Sequence, residues 1–439
     1  MTSLNVSNKN IVENQSLNSF VAIFLLILYG LWGTGWDTPL GVSWPGLWYL
    51  TILFLIPFQI KYTYSFNDRT IFIVLTILAI TFLYSLVALP KLFLSEDSAG
   101  NLNYLLMYVI KSFISALSIV IFYRYFSSIK ILERSLMAIS ITIFLIYIFL
   151  HWKYYYDFNK GYLGVSIIDE IGATRSGKNS IATSMALIFP IIIAYVISSK
   201  SILHKFFGVL GLIAIAAFAI NLQSRSMVLI IFIGFSAFIF LMIKIRHILI
   251  IFGLIMAFNF SNINYNDYIY KENAFDESQE NIIESSAPDE FKPYTHYKNT
   301  SGNIFDKFLN SHRGWLLRES LAGFKDSIFL GNGVSTFRIR ESNLGSRTET
   351  HNDYTLVLYE QGIFGFFAML LLLIYRIKRT ISINLYFPKK YYIVGSFASL
   401  ISLSSALFFI NIYNTQIFWV IIALNIVIVE KFFKRNINF

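Results

Sequence analysis

The residues of this chain that are best suited to catalysis lie just before its tenth long apolar stretch. His351 and Asn352 open the sequence His-Asn-Asp-Tyr, and Glu360 follows inside the apolar stretch. A neutral imidazole, whose ordinary pKa is about 6.5, can accept the proton of a hydroxyl group. Asp353 can orient such a base, although adjacent side chains often point apart. The segment therefore predicts a base that activates a hydroxyl group, and a purely structural histidine is the alternative.

Arginines accompany this segment and indicate an anionic substrate. Arg225 lies where two apolar stretches meet, while Arg313 and Arg318 lie in a charged segment closer to His351. A guanidinium group binds two phosphate oxygens at once, and an arginine at membrane depth usually faces a cavity or an anion. We therefore predict a diphosphate site that includes these arginines. The alternatives are that Arg225 extends to the membrane surface and that Arg318 simply faces water.

A near match to a phosphate-binding loop, Gly-x-x-x-x-Gly-Lys followed by Ser or Thr, covers residues 172–179. Asn179 replaces the magnesium-binding hydroxyl and no strand precedes the loop, so an ATP site is not expected. Either Asn179 and Ser180 cap the next helix, or Arg175 and Lys178 bind an anionic group. The chain has no cysteine and no clustered metal ligands of the usual spacing, so neither a metal nor a cofactor is expected.

The elements that must position these residues are membrane helices. The chain has 439 residues, a mean hydropathy of +0.61, 56% apolar residues and 14% charged residues, which is typical of an integral membrane protein. We predict an all-α polytopic fold with about twelve transmembrane helices, the ninth being unusually short. They cover residues 20–34, 45–60, 70–90, 103–123, 136–151, 181–198, 206–220, 226–243, 247–259, 358–375, 391–410 and 413–430.

Charge and composition divide the chain into four parts. Residues 1–18 read as a disordered cytoplasmic tail, 19–259 as the first nine helices, 260–357 as a large loop and 358–439 as the last three helices. Apolar positions within 303–325 predict an amphipathic helix at the interface. When the 260–357 loop and Lys111 are left out, Lys and Arg are about three times as frequent on one side (18 against 6), which predicts cytoplasmic termini and a periplasmic loop. Because these cations are dispersed, nucleic-acid binding is not expected.

Two glycine pairs complete the pattern. Gly331 and Gly333 flank Asn332, and Gly362 and Gly365 follow Glu360. The first pair would let backbone N–H groups approach a phosphate, or form a simple turn, and the second would permit close helix packing.

Taken in order, these motifs resemble the O-antigen ligase superfamily, which includes O-antigen ligases, O-antigen polymerases and protein O-oligosaccharyltransferases. The family pattern begins with a Gly-x-Asn loop, matched by Gly177-Lys178-Asn179, and a Ser-Arg pair at the outer end of a span, matched by Ser224-Arg225. It continues with an arginine opening an amphipathic helix, a Gly-x-Gly turn and His-Asn before a helix with Glu and paired glycines. These are matched by Arg313, Gly331/Gly333, His351-Asn352, Glu360 and Gly362/Gly365. Trp315 lies nearer to Arg313 than is usual in the family, and Ile328 replaces a proline common before the turn.

The resemblance implies a GT-C-like glycosyltransferase of the bacterial inner membrane, working without metal at the periplasmic face. Its members transfer a glycan from undecaprenyl diphosphate with inversion, the arginines holding the diphosphate and His351 activating the acceptor hydroxyl. Membrane lipids, the lipid-linked donor and a lipid A–core or glycan acceptor are the expected partners. We favour a ligase over a polymerase, and we rank a protein O-oligosaccharyltransferase below both. A lipid-linked glycan flippase is the rival class, but transporters usually have internal repeats and midplane polar sites.

Overall fold

The computed structural model describes residues 2–31, 43–59, 68–95, 98–156, 177–221, 225–242, 312–337, 352–386, 390–413 and 415–433. Its helices are α1 (Thr2–Leu31), α2 (Trp44–Leu55), α3 (Asp68–Phe93), α4 (Ser98–Tyr125), α5 (Ile129–Tyr156), α6 (Gly177–Ser198), α7 (Ile202–Asn221), α8 (Arg225–Met242), α9 (His312–Asp326), α10 (Asp353–Tyr386), α11 (Tyr391–Ala406) and α12 (Gln416–Ile426). A π-helical segment, Val427–Phe433, continues α12. These ranges contain no β-strand.

The helices confirm an all-α membrane protein over the described part of the chain. Six are long and apolar enough to cross a membrane, namely α3, α4, α5, α7, α10 and α12 with its extension. Shorter apolar helices lie in α1, α6, α8 and α11. Each predicted span except the ninth overlaps one of these helices or α2. The ninth, at 247–259, lies outside the described residues, so the number twelve stays a prediction.

Two predictions about the ends of spans were wrong. Residues 1–18 were expected to be disordered, but α1 begins at Thr2. An apolar helix that has already formed extends into polar neighbours more easily than a new helix begins. The tenth span was predicted to end at residue 375, but α10 continues to Tyr386 and buries Arg376 completely.

The centre of the bundle is formed by α11 and α12. Every residue of α12 is buried, and α11 packs against α6, α8, α10 and α12. Small residues allow these helices to approach closely, as where Gly234 of α8 meets Ser402 of α11. The remaining helices pack around this centre, with α3 against α10 and α4 against α12.

Contacts of α11 establish which helix ends lie together. At its start, Tyr392 donates a hydrogen bond to Glu133 near the start of α5 (3.1 Å), and Gly395 meets Ala194 near the end of α6. The start of α11 therefore lies beside the end of α6, and its end lies towards the start of α6. Short connections through α7 bring the start of α8 to the same end as that of α6.

Helix α10 also begins at this end of the bundle. The backbone N–H of Asp353 donates to the carbonyl of Leu407, directly after α11, at 2.8 Å. We call the end where α6, α8 and α10 begin the site end, and the opposite end of α10 the far end. The helices thus bring to one end several segments that are widely separated in sequence.

Candidate active site

Helix α9 lies against the first turns of α10 at the site end. Its Leu316 is fully buried in a cluster with Phe337, Leu356 and Tyr359. The predicted amphipathic helix is confirmed from His312 onwards, while the rest of its predicted range lies outside the described residues. Arg318, two positions beyond Leu316, is exposed. Because this side chain faces solvent, its burial gives no support for the predicted role in substrate binding.

Helix α10 is broken at Gly362, where φ is 60° and ψ is −163°. The break frees the carbonyl of Tyr359 and the N–H of Ile363, which would pair in a regular helix. The segment after α9 supplies both partners. The N–H of Asn332 donates to the Tyr359 carbonyl (2.8 Å), and the Ile363 N–H donates to the carbonyl of Ile328 (2.9 Å). The kink is therefore stabilised by backbone pairing with a distant loop.

Glycines are required where these two backbones meet. Gly331 and Gly362 both have φ near +60°, a conformation that other residues adopt only at a cost. A Cβ on Gly331 would lie 2.5 Å from the Glu360 carbonyl, and one on Gly362 would collide with the Phe329 carbonyl. The sequence suggested a turn and a close contact separately. The structure shows that they are the two halves of one contact.

The idea that the Gly-x-Gly turn offers its N–H groups to phosphate is contradicted. The Gly331 N–H donates to the Ser327 carbonyl, and the Gly333 N–H donates to the Glu360 carbonyl, both at 2.9 Å. The N–H of Asn332, between the two glycines, donates to the Tyr359 carbonyl. The turn therefore uses its donors to hold α10, and binding of the diphosphate must fall to other groups.

Asn332, between the two glycines, links three helices. Its side-chain Nδ2 donates to the carbonyl of Gly323 in α9 at 2.8 Å. From α3, the Lys91 Nζ donates to the Asn332 carbonyl (3.0 Å) and Oδ1 (3.2 Å). The sequence analysis missed both residues. An amide residue between two glycines was the available signal for Asn332, and nothing in the sequence relates Lys91 to it.

The first turn of α10 is capped by Asn352. Its Oδ1 accepts a hydrogen bond from the Thr355 N–H (3.2 Å), and its carbonyl accepts one from the Leu356 N–H (3.0 Å). This is the usual arrangement of a helix N-cap. His351 precedes the cap in sequence but lies outside the described residues. The observed role of Asn352 is to fix the start of α10, and its predicted contact with substrate stays a prediction.

Asp353 anchors the start of α10 to the segment after α11. Its side chain is 1% exposed, and its Oδ2 accepts hydrogen bonds from the N–H groups of Ile412 (2.6 Å) and Tyr413 (2.8 Å). Charge-assisted bonds of this kind are roughly twice as strong as neutral ones. Asp353 therefore positions the backbone next to the predicted base. Its roles as a substrate ligand and as the partner of His351 stay predictions.

Glu360 lies on the same face of α10 as Asp353, because residues seven apart are two turns apart on a helix. It is 3% exposed, and both carboxylates act electrostatically on Tyr108 of α4. Gln361, the next residue, is fully buried, and its amide has no hydrogen-bond partner in the described ranges. The sequence analysis missed Tyr108 and Gln361. They make the interior beneath the site end polar.

Four other predicted residues have described helix positions but not described side chains. Arg225 opens α8 and Arg313 is the second residue of α9, while Lys178 and Asn179 are the second and third residues of α6. Since α6 already begins at Gly177, Asn179 lies inside the helix and the predicted capping role was wrong. These positions share the site end with Asn352. Arg175 lies outside the described residues.

Comparison with known families agrees with this arrangement. The family model described as O-Antigen ligase matches residues 210–370. This match covers a little over a third of the chain and supports a relationship to the O-antigen ligase superfamily. No curated protein matches the chain.

The O-antigen ligase match covers most of the predicted site. It includes Arg225, Arg313, Arg318, the stretch 351–353 and Glu360. It leaves out Arg175, Lys178 and Asn179, whose assignment depends on the sequence pattern alone. The family supports an activity of the O-antigen ligase and polymerase type on lipid-linked glycans in general. It thus supports an enzyme of the glycosyltransferase kind in a membrane.

Proposed function

We propose that this chain is an O-antigen ligase-type glycosyltransferase of the bacterial inner membrane. It transfers a glycan from undecaprenyl diphosphate to a hydroxyl of lipid A–core at the periplasmic face, with inversion and without a metal ion. The observation that carries the proposal is the shared site end. Helix α8, which begins at Arg225, and helix α10, which begins at Asp353 directly after the His351–Asn352 motif in sequence, both start there, and these residues lie within the O-antigen ligase match.

The proposed reaction exchanges one bond at the anomeric carbon for another. The acceptor oxygen attacks this carbon from the face opposite the diphosphate, and the bond to the leaving phosphate oxygen breaks. His351 takes the proton of the acceptor hydroxyl. Undecaprenyl diphosphate leaves with added negative charge, which Arg225 and Arg313 offset. Loss of one such preplaced donor typically raises a barrier by about 3–4 kcal/mol.

The remaining residues hold this geometry. Asn352 and Asp353 fix the first turn of α10, so that a base directly before it has a defined position. The Gly331–Gly333 turn, paired with the break at Gly362, fixes the end of α9 relative to α10. This pairing supports a site in which Arg313, near the start of α9, and the 351–352 motif, before α10, act on the same substrate. Arg175, Lys178, Asn179, Arg318 and Glu360 are proposed to contact the donor or the acceptor.

The test is the surface glycan profile of a strain lacking this chain, resolved on a gel. A ligase predicts core without repeats together with accumulated lipid-linked polymer. Core that carries a single repeat would instead identify a polymerase. Normal glycans, in a strain without a redundant enzyme, would contradict both activities.

Complementation then tests the base. His351→Ala should fail to restore the profile although the protein is inserted in the membrane at normal amount. His204→Ala is the matched control, because His204 lies in the first turn of α7, away from the site end, and should restore the profile fully. Full restoration by His351→Ala would refute the assignment. With purified protein, Arg225→Ala should weaken donor binding, and unchanged affinity would remove Arg225 from the diphosphate site.

A further inference from the structure

A second polar site lies at the far end of α10, away from the predicted chemistry. A cavity of about 270 Å³ is lined there by Arg69 of α3 and by Tyr375, Lys378, Arg379 and Ser382 of α10. Three cations, a phenol and a hydroxyl are all groups that can bind an anion, and none of the described residues that line the cavity carries a carboxylate. The cavity is somewhat smaller than the roughly 300–1,000 Å³ typical of sites for drug-sized ligands. Its size suits a single phosphate-bearing group.

One donor of a residue that lines the cavity is buried without a partner. The Nε of Arg379 makes no hydrogen bond to any described residue and is shielded from solvent. The Arg379 guanidinium is therefore incompletely paired within the described ranges, and a charged donor group in this state favours a nearby hydrogen-bond acceptor. The neighbouring Arg376 already has a carboxylate partner in Glu430. That carboxylate therefore does not cancel the charge of the residues lining the cavity.

The position of the cavity favours a lipid over a soluble anion. Arg69 is the first residue of the apolar span in α3, and Lys378 and Arg379 lie in the last third of the span in α10. Both helices thus place their cations at the depth of lipid headgroups. Leu371 and Ile374, seven and four residues before Lys378, share its helix face and are 52% and 59% exposed. They offer an apolar surface for acyl chains next to the cationic group.

We propose that this cavity binds the headgroup of an anionic phospholipid, with its phosphate held by Arg379, Arg69 and Lys378. On the orientation that the Lys and Arg distribution predicts, the far end faces the cytoplasmic leaflet, whose surface is anionic. The site is independent of the proposed glycan transfer. It would link α3 to α10 through a bound lipid on the side opposite to the active site.

The experiment measures lipid binding by the full-length protein purified in detergent. A fluorescent short-chain phosphatidylglycerol is titrated against wild type and against the triple variant Arg69→Gln, Lys378→Gln, Arg379→Gln. Each cation near an anionic surface contributes about a fivefold factor, so the triple variant should bind roughly 100-fold more weakly. Lys200→Gln with Lys205→Gln is the control, since both are exposed cations outside the cavity. It should bind like wild type.

Three further results decide the proposal. Phosphatidylcholine should bind wild type much more weakly than phosphatidylglycerol, and equal binding of the two would overturn an anion-selective site. Displacement of the lipid by millimolar inorganic phosphate would mean that the cavity takes free phosphate, which would refute the lipid assignment. If the triple variant does not fold, Arg379→Lys retains the charge but removes the Nε donor. Wild-type affinity for phosphatidylglycerol in either folded variant would contradict the proposal.

Discussion

Helix α10 contains two polar regions that the bundle stabilises in different ways. Near the site end, Gly362 breaks the helix, and the turn at Gly331–Gly333 supplies partners for the freed backbone groups. Towards the far end, Arg376 remains inside regular helix and is paired with side chains of α12 and its extension. Its Nε donates to Asn425 (2.9 Å), and its guanidinium forms an ion pair with Glu430.

The difference separates two kinds of function within one helix. Pairing at the kink joins two backbones and depends on residues that lack a Cβ, so it controls the shape of a loop next to the predicted site. Pairing at Arg376 joins charges that are buried between helices, so it controls whether α10 and the extension of α12 can pack. We therefore expect changes at the kink to reduce activity first, and changes at the ion pair to reduce stability first.

The largest effect is expected from Glu430→Ala. This change leaves the fully buried Arg376 without its carboxylate, and breaking a buried pair in this way typically costs about 3–5 kcal/mol. We expect a large fall in the thermal unfolding temperature of the purified protein in detergent, or loss of folded protein altogether.

The control for this prediction removes both charges. Arg376→Met combined with Glu430→Leu replaces the pair by apolar side chains, and such replacements are often neutral. The double variant should recover most of the lost stability. A wild-type unfolding temperature for Glu430→Ala alone would show that the pair does not hold the helices together.

The second largest effect is expected from Gly362→Ala, which changes the kink in α10 and leaves the ion pair intact. The new Cβ would collide with the Phe329 carbonyl, and the residue would keep φ 60° and ψ −163°, a conformation that is essentially restricted to glycine and costs roughly 1–3 kcal/mol for other residues. The turn must then move away from α10. Because a displacement of about 1 Å can lower a rate about 100-fold, glycan transfer should be nearly lost while most of the protein stays folded.

Gly100→Ala is the matched control, because Gly100 is an exposed helical residue of α4. It should leave both transfer and unfolding temperature unchanged, or raise the latter slightly. Surface glycan from the complemented deletion strain measures the first quantity. If Gly362→Ala lowered stability as much as Glu430→Ala but left transfer normal, the division of roles between the two regions would be wrong.

The same two regions show how far sequence reasoning reached. The helices were predictable because a continuous apolar run is a local property, and the order of motifs located the predicted active site. The partners were not predictable. Asn332 contacts Tyr359, 27 positions away, and Arg376 contacts Glu430, 54 positions away, with no local signal for either. Arg376 resembled the cations that usually flank a span, and only its burial distinguishes it from them.

The smallest effect is expected when only the side-chain link at the kink is removed. Asn332→Ala eliminates the side-chain bonds to the carbonyls of Gly323 and Tyr359 and one acceptor for Lys91, but it keeps the backbone bonds to α10. A typical hydrogen bond contributes about 0.5–1.5 kcal/mol, so stability should fall modestly and transfer severalfold. Lys91→Gln should have a smaller effect, because the Lys91 side chain is exposed.

If the paired backbone controls the loop, the three variants should differ in the transfer rate measured on purified protein. The loss of rate should be largest in Gly362→Ala, smaller in Asn332→Ala and smallest in Lys91→Gln. A larger loss in Asn332→Ala than in Gly362→Ala would mean that the side chain, and not the paired backbone, sets the geometry of the loop.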